Sequence, residues 1–442
     1  MNNPIILKIR KRTQSGWLLL LLLLLPFCFG ILNELLHLPW AIRYLLDVAW
    51  IVLLGMMILR RAYTGNWSTG VLGIWVLLFL IYTALSYVLQ YQSPLYYLWG
   101  VRNNFRFYAA FFAFTAFLTE KDISGSLKIF DRLFWLNAVV SLIQFFLLGL
   151  DGDHLGGIFG TETGGNAYTN VFFLIVVTRS VLLYLNKKEN ALPCLSKCAV
   201  ALLVAALAEL KFFFVEFVLV LILAVLLTDF TWRKVWIILG GLAAVSAGAM
   251  LLTMLFPNFI GWFSLQWFLE NAITSKGYTS SGDLNRLNAI PQINALWLVT
   301  SGQRIFGLGM GNCETSSFFF LNTPFFEKYG HMHYSWLSYA FMYLECGWIG
   351  LVFYWGFFAL LFFRVRKMKK IAGAEGKIYC QLAEIMAILC VVISVYNSSL
   401  RTEVGYMAYF VLAIPFVLQK AAKRAEYQKR NYGGKRLCRF RE

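Results

Sequence analysis

Six cations and two imidazoles in this chain could do chemistry together. Arg102 and Arg106 lie four residues apart and share a helix face. Lys211, Arg286, Arg304 and Arg401 follow at wide intervals, and His331 and His333 close a long polar stretch. Arg102, Arg106, Lys211 and Arg401 fall near the ends of apolar runs, where a charge at membrane depth costs a few kcal/mol, and Arg286 falls in the long loop between two such runs. Taken singly, each is equally well a side chain snorkelling to headgroups. As a set they suggest a bound anion, for which a lipid-linked phosphate or diphosphate has the right chemistry. An imidazole titrates near neutrality, so a histidine beside such a site can take a proton from an attacking hydroxyl.

The elements that must position these residues are membrane spans. Hydrophobic residues make up 60% of the chain and charged residues 14%, against about a quarter charged in soluble domains. Apolar runs near 17–36, 42–59, 70–90, 99–118, 132–150, 167–185, 191–208, 212–228, 235–256, 334–363, 378–398 and 403–419 can each span the bilayer as a helix. The run at 17–36 is too long for a signal-peptide core and reads as a retained first span. Residues 191–228 are nearly unbroken, and a tight reversal near Glu209-Leu210-Lys211 divides them into two helices. The expected fold is therefore all-α: a polytopic membrane protein of about twelve transmembrane helices. Spans occupy 1–256 and 334–419, an extracytoplasmic helical loop 257–333, and a basic cytoplasmic tail 420–442.

Lys and Arg clusters at the N-terminus, Arg60-Arg61, Lys121 to Arg132, Lys187-Lys188, Arg233-Lys234, Arg364 to Lys370 and the tail all fall on one side of a twelve-span count. By the positive-inside rule both termini are cytoplasmic and the 257–333 loop is outside. Nine basic residues between Lys420 and Arg441 account for much of the net charge of +17, so the partner they imply is anionic lipid rather than nucleic acid. The eight cysteines are scattered, with only Cys313 in the loop, which argues against a structural disulfide there. Cys194 and Cys198 lack further zinc ligands, and Asp151-Gly152-Asp153 reads as a solvated loop, so no metal is assigned.

Within the loop, Asp283 or Ser281 can cap a helix carrying the apolar stripe Leu284, Leu287, Ile290 and Ile293. Residues 259–273, with Trp262, Phe263, Trp267 and Phe268, read as a helix lying in the interface. Gly307-x-Gly309-x-Gly311 lacks the strand-to-helix setting of a nucleotide fingerprint and reads as a tight turn. His331 and His333 point the same way only if that stretch is extended.

These motifs, in this order, resemble the bacterial O-antigen ligase and O-antigen polymerase superfamily. The likeness rests on the large loop after the ninth span, Ser281 to Arg286, the glycine turn 307–312, a histidine at the start of the tenth span, and Glu345-Cys-Gly347-Trp-Ile-Gly350. Gly100-Val-Arg102-Asn103-Asn104-Phe-Arg106 also resembles an arginine-bearing segment of the polymerases. Two departures stand out: Tyr334 follows His333 where the family has a His-Asn pair, and the run from His333 to Gly347 is about one turn longer.

The resemblance implies transfer of a glycan from undecaprenyl diphosphate to an acceptor hydroxyl at the outer face of the bacterial cytoplasmic membrane, without metal, nucleotide or other cofactor. It implies roles for Lys211, Arg286 and His333, which puts Lys211 and Arg286 on the diphosphate and His333, or the neighbouring His331, as base; Arg102, Arg106, Arg304 and Arg401 are candidates for further anion contacts by their own chemistry. Expected partners are the lipid-linked donor, a glycan acceptor and the bilayer, with a flippase and a chain-length regulator alongside. Polymerisation of repeat units for O-antigen or capsule is the expected activity. The rival within the class is ligation of glycan to lipid A core or another acceptor, and the rival outside it is a lipid or solute transporter. An enzyme needs Arg286 and His333 in one outer site, whereas a transporter needs polar groups converging near mid-bilayer.

Overall fold

The computed structural model describes residues 14–64, 70–90, 93–229, 232–255 and 283–437. Among these, all regular structure is helical. The expected interfacial helix at 259–273 and the residues Ser281 and Gly282 lie outside the described residues.

The helices follow the apolar runs, except that the run 17–36 is divided between a short first helix, a 3-10 turn and a π turn, Ile31–Leu35. In order these are α1 (Gln14–Leu24), α2 (Leu45–Thr64), α3 (Gly70–Leu89), α4 (Pro94–Phe117), α5 (Glu120–Phe146), α6 (Gly165–Leu185), α7 (Ala191–Leu207), α8 (Lys211–Leu227) and α9 (Trp232–Leu255). Three short helices follow, α10 (Ala289–Leu296), α11 (Ser301–Phe306) and α12 (Pro324–Tyr329). The long helices α13 (Ser338–Lys369), α14 (Ala374–Tyr396) and α15 (Gly405–Leu437) complete the described chain. Eight of these, α2, α3, α5, α6, α9, α13, α14 and α15, are long and apolar enough to cross a membrane. α1 is cut short where Pro26 lacks the amide an α-helix needs, and the chain tightens there into a 3-10 turn, Leu25–Cys28.

α6, α14 and α15 form the centre. Val171 through Val177 of α6, Ile385 to Ala387 of α14 and Tyr406 to Ile414 of α15 are buried. α2, α3 and α9 instead expose leucine, isoleucine and valine on their outward faces, the pattern of helices surrounded by hydrocarbon. The reversal between α7 and α8 is made at Glu209, whose φ of +52° turns the chain, with Lys211 N–H donating to the Glu209 carbonyl at 2.8 Å.

α13 is broken, and the break explains the glycine turn. Gly347 adopts φ +62°, ψ −163°, which interrupts the helix and strands the carbonyls just before it. Buried backbone acceptors need partners. Leu308 N–H donates to the Leu344 carbonyl at 2.9 Å, Gly309 N–H to the Glu345 carbonyl at 2.7 Å, and the Tyr82 hydroxyl to the Cys346 carbonyl at 2.6 Å. Gly311 lies against α4: a Cβ there would stand 2.0 Å from the Tyr96 carbonyl oxygen, and φ is +93°. The three glycines thus serve backbone-to-backbone packing. Gly311→Ala is expected to lower the thermal unfolding temperature in detergent sharply, combining a steric clash with left-handed strain of about 1–3 kcal/mol. Gly302→Ala, on α11 with no atom within 4 Å of the added carbon, is the matched control and should unfold no earlier than wild type.

Candidate functional site

The cations named from sequence separate into two groups, and their carboxylate partners explain why. Arg102 donates from Nε to Asp47 Oδ1 at 3.0 Å and from Nη2 to Asp47 Oδ2, while its guanidinium lies 4.7 Å over Trp99. Arg106, 3% exposed, pairs with Glu403 at 3.4 Å and donates to the Arg401 carbonyl at 2.7 Å. Arg401 pairs with Glu314 and stacks over Phe341 at 3.7 Å. Arg304 donates from Nε to the Leu298 carbonyl at 3.0 Å, bracing α11.

Three of these arginines therefore join helices to one another or to the loop, each with its charge matched by an acid. Removing one partner of a buried ion pair costs about 3–5 kcal/mol because the other charge is left without compensation. Arg106→Ala should accordingly deplete folded protein and lower its unfolding temperature. Replacing Arg106 and Glu403 together by apolar residues of similar size should recover much of the loss.

Arg286 and Lys211 come together elsewhere, at a site built from the start of the described loop. Residues 283–286 run beside 332–333, joined by Leu284 N–H to the Met332 carbonyl at 3.4 Å. The buried Asn285 receives Leu287 N–H on its side chain at 3.2 Å, while its own N–H reaches Gln292 Oε1 at 2.9 Å. The Tyr339 hydroxyl of α13 donates to the Arg286 carbonyl. That frame carries the Arg286 guanidinium to Tyr396, the last residue of α14: it donates to the Tyr396 carbonyl and lies 4.1 Å over the ring. Tyr396 in turn stacks flat on Phe212, with centroids 3.9 Å apart. Lys211 precedes Phe212, lies within electrostatic reach of Arg286, and approaches Glu209 at 3.7 Å. Burial raises the Glu209 carboxyl above its ordinary range, Lys211 opposes this, and Asp151 and Asp153 reinforce it.

His333 belongs to the same frame. Its Nδ1 lies 2.7 Å from Asp283 Oδ1, and its ring stacks on Trp336 with centroids 3.9 Å apart. Asp283 is 3% exposed and the His333 side chain 34% exposed, so the acid sits behind the imidazole and solvent in front. A carboxylate only accepts, so Nδ1 is the donor of this bond, and in the neutral imidazole Nε2 is then the nitrogen with the lone pair. His333 adopts φ +51°, a left-handed turn that breaks the chain away from the preceding 3-10 turn, Gly330–Met332. The stretch is consequently not extended, and His331 is exposed apart from this dyad.

Asp283 is the site residue that sequence reasoning misassigned. Expected as a cap, it instead holds His333; α10 starts at Ala289 behind Asn288, which makes no side-chain cap. Of the apolar stripe, Leu284 and Ile293 are buried and Leu287 is exposed. Tyr396 and Phe212 were not singled out, because aromatics at span ends read as ordinary interface residues. Asp153 of the Asp-Gly-Asp loop accepts from Asn166 at 3.0 Å. No family model matches the chain, and no curated protein matches it.

Proposed function

We propose that this protein is a membrane glycosyltransferase that polymerises undecaprenyl-diphosphate-linked repeat units into a surface polysaccharide, such as O-antigen or capsule. The observation that carries the proposal is the Asp283–His333 dyad, on the same short frame that aims Arg286 at Tyr396 beside Lys211. A base and two cations are what displacement of a diphosphate by a hydroxyl requires. Nε2 of His333 takes the acceptor proton as the hydroxyl attacks the anomeric carbon. Asp283, buried behind it, stabilises the imidazolium that forms. Arg286 and Lys211 stabilise the charge gathering on the departing diphosphate, the larger catalytic contribution in a site of low dielectric. Diphosphate leaves readily as an anion, so no general acid is needed.

In this reading α1 to α9 and α13 to α15 all cross the bacterial cytoplasmic membrane. The end of the bundle holding Arg179, Lys197, Arg233, Lys234 and Lys369 is cytoplasmic and the dyad is outside. The concentration of basic residues at that one end supports this orientation. Arg102, Arg106 and Arg401 hold the bundle together and leave the diphosphate to Arg286 and Lys211.

Purified protein incubated with lipid-linked repeat units, products resolved by length, tests the activity. A ladder of products is expected. One transfer to a foreign acceptor would make the protein a ligase, and intact donor after long incubation would sink the proposal.

A further inference from the structure

One buried acid has no part in the site described above. Glu216 of α8 is 0% exposed and faces Asn170 of α6, itself 3% exposed. Asn170 Nδ2 donates to Glu216 Oε2 at 3.0 Å. The two atoms that remain, Glu216 Oε1 and Asn170 Oδ1, are both buried without a hydrogen-bond partner among the described residues.

That pattern is informative because an amide oxygen and a carboxylate oxygen both only accept. With Glu216 ionised, neither can satisfy the other, and each is left stranded in the core. One added proton resolves both: an Oε1–H donates to Oδ1 while Nδ2–H donates to Oε2, closing a ring of two hydrogen bonds. A compensating charge would be the other solution. The charged residues of the helices packed against α8 are Arg179 of α6, Lys197 of α7, Arg233 and Lys234 of α9, and Glu375, Lys377 and Glu384 of α14.

Several of these are engaged toward the opposite end of the bundle. Arg179 and Lys197 hold Asp131, Arg233 holds the Tyr184 carbonyl, Lys234 the Thr228 carbonyl, and Glu384 holds Lys369. Lys211, on α8 itself, lies five residues away, about 7.5 Å along the axis and turned to a different face. An ionised carboxylate so placed is disfavoured against its neutral form.

We propose that Glu216 and Asn170 form a proton-binding site inside the helix bundle, with Glu216 a neutral carboxylic acid donating from Oε1 to Asn170 Oδ1. The pair clamps α6 to α8 just beneath Lys211, and its ligand is a proton rather than a metal cation. The site stands independently of the transfer reaction, and its test uses no transfer assay.

Glu216→Gln is the diagnostic change, because the glutamine amide donates to Asn170 where the acid hydroxyl did and accepts on its other side as before. Full-length protein in lipid nanodiscs at neutral pH is expected to show a protonated-carboxyl carbonyl stretch by infrared difference spectroscopy that is missing from Glu216→Gln. The unfolding temperature of Glu216→Gln should match wild type, and neither should differ between sodium and choline chloride. Absence of that band would overturn the proposal. So would a wild-type unfolding temperature that rises with sodium and loses the rise in Glu216→Gln; that outcome makes the pair a sodium site and favours an ion-coupled transporter. Asn170→Ala covers the case in which Glu216→Gln fails to accumulate: it removes the acceptor of the acid proton and should shift the band. A band that does not move in Asn170→Ala also overturns the assignment.

Discussion

Arg286→Ala is expected to reduce chain growth by about 10³-fold or more, the scale on which fixed cations and donors at developing oxyanions contribute. The protein should still reach the membrane at normal abundance, because the residues fastening the frame are Leu284, Asn285, Gln292 and Tyr339 rather than the guanidinium. Arg286→Lys should recover only part of the activity. Lysine keeps the charge but loses the planar fork, and with it the stacked position over Tyr396. Tyr396→Leu is expected to weaken transfer for the same reason, through a cation that is present but unaimed. The readout is the length distribution of polysaccharide formed from lipid-linked repeat units, normalised to membrane protein. Wild-type ladders from Arg286→Ala would remove the proposed diphosphate site altogether.

His333→Ala should lower turnover by about 10²–10⁴-fold, the usual contribution of a positioned base. Added imidazole should restore a measurable part of the loss, because the cavity left by the side chain lies open to solvent on one side. Asp283→Asn separates positioning from proton transfer: its amide can donate to Nδ1 and favours the wrong tautomer, so turnover should fall although the base is still present. His331→Ala should stay close to wild type, since that imidazole lies exposed outside the dyad. Equal losses in His331→Ala and His333→Ala, or no loss in Asp283→Asn, would show that the dyad is not the base.

The helices were legible because an apolar run long enough to cross hydrocarbon is a local property, readable from neighbours alone. The reversal at Glu209 was legible too, since thirty-eight continuous helical residues would overshoot one bilayer. Gly307-x-Gly309-x-Gly311 could be read as a tight turn. Its purpose could not, because the carbonyls it satisfies belong to a break in α13 more than thirty residues on. Asp283 was visible as a helix cap and invisible as the partner of His333, fifty residues away. An acid three residues before an arginine, in the same loop as a histidine, was the available signal.

Sequence alone decided that this chain is helical and rich in segments fit for a membrane, and it placed several cations near span ends. Tertiary structure decided what those cations are for. Asp47, Glu403 and Glu314 lie 55, 297 and 87 residues from the arginines they hold, so no local pattern could reveal that Arg102, Arg106 and Arg401 were already spoken for. Hydrophobicity is summed along a chain, residue by residue, whereas a charge is defined by its neighbours in space, and only folding brings those neighbours together.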